Sequence, residues 1–138
     1  MAGADVNVVS SNGSTALMFA AQKKDSAYVI DLLARKADIN TKDDTGSTAL
    51  HIASSYGSRD TLKVLLENKS TINSVDNDGW TALMVAAFQG HSDKVNLLLE
   101  YNADTNIKNK SGQTALDLAG KSKHDQISII IKKSQLAK

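Results

Sequence analysis

The chain of 138 residues is 41% hydrophobic but only 4% aromatic, which supports one domain with a modest, aliphatic and mainly helical core. Cysteine is absent, which excludes disulfides, thiolate zinc sites and a cysteine nucleophile. The apolar runs are too short to span a membrane, and the first residues predict no signal peptide. We therefore expect a protein of the cytoplasm, or alternatively of the nucleus, that binds no membrane.

The net charge of +1 hides an uneven distribution of charged residues. Up to Ile107 the chain has 9 Lys/Arg and 13 Asp/Glu, whereas from Lys108 onward it has 7 Lys and 2 Asp. The lysines of this basic end are scattered, and neither arginines nor stacking aromatic residues accompany them. This pattern favours a solvated face over a nucleic-acid site, so we expect no nucleic acid among the partners.

One sequence pattern recurs four times at intervals of 33 residues. Its copies are NGSTALMFAA (12–21), TGSTALHIAS (45–54), DGWTALMVAA (78–87) and SGQTALDLAG (111–120). A second segment recurs at the same interval, as GADVN (3–7), KADIN (36–40), KSTIN (69–73) and NADTN (102–106). Between them lies an apolar run, seen as VIDLL (29–33), LKVLL (62–66) and VNLLL (95–99). Agreement over so many positions indicates a tandem array.

Each copy has the features of two short helices. The glycine of the pattern permits a tight turn with positive φ, and the threonine two residues later is suited to cap a helix. We expect Gly57 or Gly90 to end this first helix. The leucines of the apolar run fall on one face of a second helix. Because one such pair cannot hide both of its apolar faces, neighbouring pairs are expected to stack.

These motifs together resemble the ankyrin repeat across essentially the whole chain. They are G-x-T-A-L-x-x-A, a Gly90-His91 start to a second helix, a Leu-Leu ending and A-D-x-N. The resemblance implies an all-α repeat fold, an ankyrin-type solenoid of stacked antiparallel helix pairs with hairpin-like fingers. We expect a single ankyrin repeat domain over residues 1–138. It would comprise the tail of a preceding repeat (1–9) and four repeats (10–42, 43–75, 76–108 and 109–138).

The outer repeats depart from the family pattern. Lys24 and Lys123 stand where the family has a glycine between the two helices, which predicts that these repeats are less regular than the inner two. In the last repeat, residues 127–132 align best with residues 95–100 after deletion of one residue.

No pattern in the sequence supports catalysis, a metal site or a cofactor. His51, His91 and His124 lack the spacing of a metal site, and the resemblance implies that His51 and His91 bond neighbouring loops. Aspartates beside turns are suited to accept backbone hydrogen bonds, which we expect of Asp43, Asp44, Asp76 and Asp78. The recurring Asn40, Asn73 and Asn106 are expected to bridge loop backbones. The sequence therefore predicts a protein that is not an enzyme and needs no cofactor.

The resemblance places the binding surface on the concave face, which the fingers and the exposed end of each first helix line. Most variable positions there are small or polar, but Tyr56, Trp80 and Phe88 are aromatic. We predict that these three form one patch that anchors a partner, because Trp and Tyr are frequent among interface hot spots. The alternative is that Trp80 packs over its own finger and Phe88 is partly buried. Polar specificity is expected from Asp44, Asp78, Lys23, Gln89 and Gln113.

The leading hypothesis is a monomeric, non-catalytic module that binds a peptide or domain of another protein in the concave groove. The aspartates beside the aromatic patch favour a partner that carries Lys or Arg. Two alternatives stay open. The array is the regulatory or substrate-recruiting part of a larger enzyme or channel, or the three rings form a cation–π cage that recognises methyl-lysine.

Overall fold

The first helix of every repeat begins directly after a threonine whose hydroxyl caps it. In the computed structural model, which describes residues 5–137, these threonines have extended backbones with φ between −103° and −90°. Each hydroxyl oxygen accepts a hydrogen bond from the backbone N–H three residues later, at 3.2 to 3.4 Å. Such a cap satisfies an N–H group that the helix itself leaves unpaired, and it contributes about 1 kcal/mol. The capping residues are Thr15, Thr48, Thr81 and Thr114.

The described residues form eight α-helices in four pairs and contain no strand. The first helices of the pairs are α1 (Ala16–Gln22), α3 (Ala49–Ser55), α5 (Ala82–Gln89) and α7 (Ala115–Lys121). The second helices are α2 (Ser26–Ala34), α4 (Arg59–Glu67), α6 (Ser92–Glu100) and α8 (Asp125–Leu136). The predicted all-α repeat of helix pairs is thus confirmed. The predicted tail of a preceding repeat, residues 1–9, falls partly on residues 1–4, which lie outside the described residues.

The helices belong to two compact units that meet in sequence at Thr71 and Ile72. In the first unit α1 packs against α2 and α3, and α4 packs against α2 and α3. The second unit repeats this arrangement with α5, α6, α7 and α8. Fully buried aliphatic side chains fill both interiors, and each contributes about 1.5–3 kcal/mol. They include Leu17, Leu50, Leu62 and Leu65 in the first unit, and Leu83, Leu98, Leu118 and Ile131 in the second.

Among residues 5–137, no helix combines the length and the apolar character that crossing a membrane requires.

Two lysines adopt the left-handed backbone conformation of Gly90, the glycine at the same position of the third repeat. Lys24 and Lys123 have φ of 62° and 63°, and Gly90, at the same position of the third repeat, has φ of 83°. A side chain in this left-handed region costs about 1–2 kcal/mol, whereas glycine has no Cβ to clash. The two lysines therefore lower the stability of the first and last repeats.

Gly57 does not have the role predicted for it. Gly90 ends α5 in the left-handed conformation, but α3 is capped by Tyr56, and Gly57 lacks a positive φ. A Cβ on Gly57 would lie 2.7 Å from Ala53 Cα and 2.7 Å from Thr61 Oγ1. The prediction that Gly57 ends the first helix is wrong. Glycine is needed there because residue 57 lies too close to Ala53 of α3 and Thr61 of α4 to carry a side chain.

The last helix keeps the 33-residue interval of the array. α6 begins at Ser92 and α8 at Asp125, which is 33 residues later. Ile127 and Ile131 are 2% and 0% exposed, whereas Ile129 is 45% exposed. The one-residue deletion inferred from the alignment of residues 127–132 is therefore wrong, because four-residue spacing on one helix face decides which isoleucines are buried.

Asparagine side chains connect the loops that end successive repeats. In each case the side-chain oxygen accepts a hydrogen bond from a backbone N–H 31 residues later. The pairs are Asn7 with Asp38 at 2.6 Å, Asn40 with Thr71 at 2.9 Å and Asn73 with Asp104 at 2.9 Å. The bridging predicted for Asn40 and Asn73 is confirmed. Within residues 5–137 Asn106 makes no such bond, so the bridging predicted for it is wrong: Ala137, 31 residues later, is the C-cap of α8 and not part of a loop that follows a repeat.

We expect Asn73→Ala to lower the free energy of unfolding by about 1 kcal/mol, because the N–H of Asp104 loses its acceptor. Asn106→Ala, at the same position of the next repeat, is the matched control and should change stability by less than about 0.5 kcal/mol. Urea unfolding followed by circular dichroism measures both. Equal losses for the two variants would show that the bridge contributes nothing.

Candidate functional site

Each repeat projects a short turn, here called a finger, ahead of its first helix. The fingers comprise residues 10–14, 43–47, 76–80 and 109–113. In each one the first residue donates its N–H to the carbonyl oxygen of the last, and the glycine donates to the carbonyl of the first. These hydrogen bonds measure 2.9 or 3.0 Å in all four fingers. The same backbone frame therefore presents a different set of side chains in each repeat.

The third finger, residues 76–80, is further fixed by the carboxylate of Asp76. Its Oδ1 accepts hydrogen bonds from the backbone N–H groups of Asp78 and Trp80, both at 2.9 Å. The equivalent Asp43 accepts from the N–H groups of Thr45 and Ser47 at 2.9 and 3.0 Å. The local backbone bonds predicted for Asp43 and Asp76 are confirmed. Asp76 positions the backbone from which the Trp80 side chain projects.

Trp80 and Phe88 form an aromatic pair on the second unit. Their ring centroids are 5.4 Å apart and their planes are inclined by 86°, which is an edge-to-face contact. Trp80 is half-buried and Phe88 is 41% exposed. The buried residues of α5 are Ala82, Leu83, Met84, Ala86 and Ala87, so Phe88 lies outside that core. The two rings shield each other and leave part of their apolar surface exposed.

The predicted site residues of the first unit are exposed. Tyr56 is 61% exposed at the C-cap of α3, and Lys23 is exposed at the C-cap of α1. Asp44 is exposed on the second finger, residues 43–47, where its backbone N–H donates to the carbonyl of Asn12 at 3.0 Å.

The predicted polar residues of the second unit differ in the hydrogen bonds that their side chains already form within the protein. Asp78 is exposed and forms no ion pair in the described part of the chain. The side-chain oxygen of Gln89 lies 3.2 Å from Nε2 of His91. The side-chain oxygen of Gln113 accepts a hydrogen bond from the amide of Asn109 at 3.1 Å, within its own finger. Gln113 is thus partly committed to the finger structure.

Sequence interpretation missed Phe19 in the first unit. This residue of α1 is 54% exposed and borders a cavity of about 380 Å³. The signal was present, since the same position of the other repeats holds Ile52, Val85 and Leu118. It was missed because that position faces the core in most helix patterns. The cavity is lined by Ser10, Ser11, Asn12, Ser14, Met18, Phe19, Gln22 and Ile52.

The histidines make structural contacts. His51 is buried, and its Nδ1 accepts a hydrogen bond from the N–H of Thr48 at 3.1 Å, which completes a capping box. Nε2 of His124 donates to the carbonyl oxygen of Phe88 at 3.1 Å, which joins the third and fourth repeats. Residues 5–137 contain no group of three His, Asp or Glu residues that could hold a metal ion.

The third and fourth fingers are in direct contact. The backbone N–H of Lys110 donates to the carbonyl of Asp78 at 3.0 Å. A Cβ on Gly79 would lie 2.9 Å from the nitrogen of Lys110, whereas a Cβ on Gly112 would meet nothing within 4 Å. Both glycines have similar positive φ, 81° and 76°. Substitution of Gly112 measures the free-energy cost of the backbone conformation alone. Substitution of Gly79 adds to it the cost of disturbing the contact between the third and fourth fingers.

Gly112→Ala should cost about 1 kcal/mol of stability, because only its φ is unfavourable for alanine. Gly79→Ala should cost clearly more, about 2 kcal/mol or above, because its methyl group also pushes the fourth finger away. The two free energies are compared by chemical denaturation. The finger contact would be unimportant to stability if both variants lost the same amount.

Comparison with protein families gives two overlapping matches. Residues 1–76 match a family model described as ankyrin repeats in 3 copies, and residues 65–119 match one described as ankyrin repeats in many copies. Comparison with curated proteins finds no match.

Proposed function

Because the chain belongs to the ankyrin-repeat family, whose repeats are generally protein–protein interaction modules, we propose that it binds a partner protein through its fingers and first helices. This surface corresponds to the concave face of the family's fold. The partner supplies a peptide or a domain surface, and the protein acts without catalysis, as is typical of ankyrin-repeat proteins.

The Trp80–Phe88 pair, in which Trp80 is half-buried and Phe88 is 41% exposed, carries this proposal. Large apolar rings at a protein surface are characteristic of binding sites, and Trp is frequent among hot spots. The finger does not need the ring, since Ser14, Ser47 and Gln113 occupy the same position in the other repeats. We propose Tyr56, which is the most exposed of the three predicted anchors, as a further anchor on the first unit.

Exposed carboxylates on the fingers supply specificity. Asp78 is exposed on the same finger as Trp80, and Asp44 is exposed on the finger of the second repeat. Carboxylates at the rim of an interface steer partners of opposite charge and reject partners of like charge. They favour a partner that presents Lys or Arg beside its apolar contact.

The geometry of the aromatic pair favours an apolar side chain of the partner over the methylated ammonium group of methyl-lysine. A cation–π cage needs ring faces that are open to an ammonium group. In an edge-to-face pair, the edge of one ring covers a face of the other. In the Trp80–Phe88 pair one ring face is therefore covered, and it is not open to an ammonium group as a cage would require.

Replacement of either ring should weaken binding without unfolding the protein. We expect Trp80→Ala and Phe88→Ala each to lower partner affinity about tenfold or more, as for residues at the centre of an interface. Tyr28→Ala is the matched control, because Tyr28 is a 44% exposed aromatic residue on a second helix, α2. The affinities are measured on a partner captured by the wild-type protein, with circular dichroism as the test of folding. Unchanged capture by both ring variants would refute this proposal.

A further inference from the structure

Two exposed lysines of the fourth repeat have no acidic partner in the described part of the protein. Lys110 belongs to the fourth finger and Lys121 ends α7, and both are exposed. Neither forms an ion pair within residues 5–137. From Lys108 onward the sequence has only two acidic residues, and both belong to helix starts. Asp117 accepts a hydrogen bond from the N–H of Thr114 at 3.0 Å, and Asp125 begins α8.

The backbone segments that carry these lysines are adjacent to those that carry Trp80 and Phe88. Phe88 and Lys121 are each seven residues beyond a capping threonine, Thr81 and Thr114, and therefore occupy the same position on α5 and α7. The two helices pack against each other in the second unit. On the fingers, the backbone of Lys110 is hydrogen-bonded to the third finger at 3.0 Å. The aromatic surface of the third repeat thus continues into a basic surface on the fourth.

The distance between these surfaces determines how far apart the apolar and the acidic residue of a bound peptide must be. Packed helices are about 8–10 Å apart, and an extended peptide advances about 3.3 Å per residue. An extended segment therefore needs about three residues to pass from the rings of one repeat to the lysines of the next. A peptide with a bulky apolar residue and, about three residues away, an Asp or Glu can therefore contact the rings with the first and the lysines with the second.

We propose that the partner segment bound by the proposed interaction surface is an extended peptide with an acidic residue opposite the fourth repeat, separate from the Lys or Arg that Asp78 favours on the third finger. Its bulky apolar residue packs on Trp80 and Phe88, and an Asp or Glu about three residues away meets Lys110 and Lys121. The inference rests on the proposed function and adds the chemistry of the partner to it. Single-stranded RNA, which also uses stacking rings and cations, is less favoured, because the edge-to-face contact covers a ring face that a base would need.

Selection from a phage-displayed library of random peptides without tryptophan tests this inference on the full chain. The library is selected in parallel on the wild type, on Lys110→Glu/Lys121→Glu, and on the control Lys132→Glu/Lys133→Glu. The control has the same change in charge at two exposed lysines of α8, a second helix. The wild type and the control should enrich peptides with Asp or Glu about three residues from a bulky apolar residue. The Lys110/Lys121 variant should instead enrich Lys or Arg at that position.

Binding of the enriched peptides is then measured through Trp80, the only tryptophan in the chain, whose fluorescence should change when a side chain covers it. Reversal of both lysines should weaken acidic peptides about tenfold, as two exposed ion pairs allow, and the control should not. A decameric uridine RNA is titrated alongside and should leave the fluorescence unchanged.

The outcomes distinguish the inference from the proposed function. Peptides that share an apolar residue but no acidic one, or that bind the Lys110/Lys121 variant equally well, overturn the inference and leave the proposed function intact. Recovery of no peptide overturns the inference, whereas the proposed function is contradicted by unchanged partner capture in the Trp80→Ala and Phe88→Ala variants. Tight binding of the RNA, with loss on reversal of the lysines, overturns the inference in favour of nucleic acid.

Discussion

A short helix pair has two apolar faces and can bury only one of them within itself. In each unit of this protein the missing cover comes from the next pair, so that α1 packs on α3 and α5 packs on α7. Leu83 of α5 and Leu98 of α6 are 1% and 0% exposed, and these two helices pack on α7 and α8 of the next pair. The threonine caps, the asparagine bridges and the finger contacts all recur at the interval that this packing imposes.

That constraint separates the residues that stabilise the protein from those that are free to vary. Thr, Ala and Leu of the repeated pattern are buried in nearly every copy, whereas the finger position of Trp80 accepts Ser or Gln elsewhere. A binding surface can therefore change residue by residue while the packing of the helices is unaltered. The aromatic pair and the lysines beside it belong to this variable set, which is why we connect them with a partner.

Much of the structure was predictable because the same local sequence pattern occurs in four copies. The threonine caps, the finger carboxylates Asp43 and Asp76, and the bridging asparagines followed from residue chemistry that acts over a few positions. The role of Gly57 was not predictable, since it depends on how closely α3 approaches α4. The alignment of residues 127–132 failed because consecutive isoleucines do not reveal which of them face the core. For the site, Trp80 and Phe88, two of the three rings of the predicted patch, are in contact. The exposure of Phe19 depends on neighbours that the sequence does not show.

The central claim is that Trp80 is not part of what holds the fold together, and the stability of Trp80→Ser tests it most directly. Serine is the residue at this position in the first two repeats. We predict a loss of about 1–2 kcal/mol, from the edge-to-face contact and partial burial, against about 2–5 kcal/mol for the core variant Leu98→Ala. Urea unfolding of both variants gives the comparison. A loss for Trp80→Ser as large as that for Leu98→Ala would show that the ring belongs to the core and contradict this account.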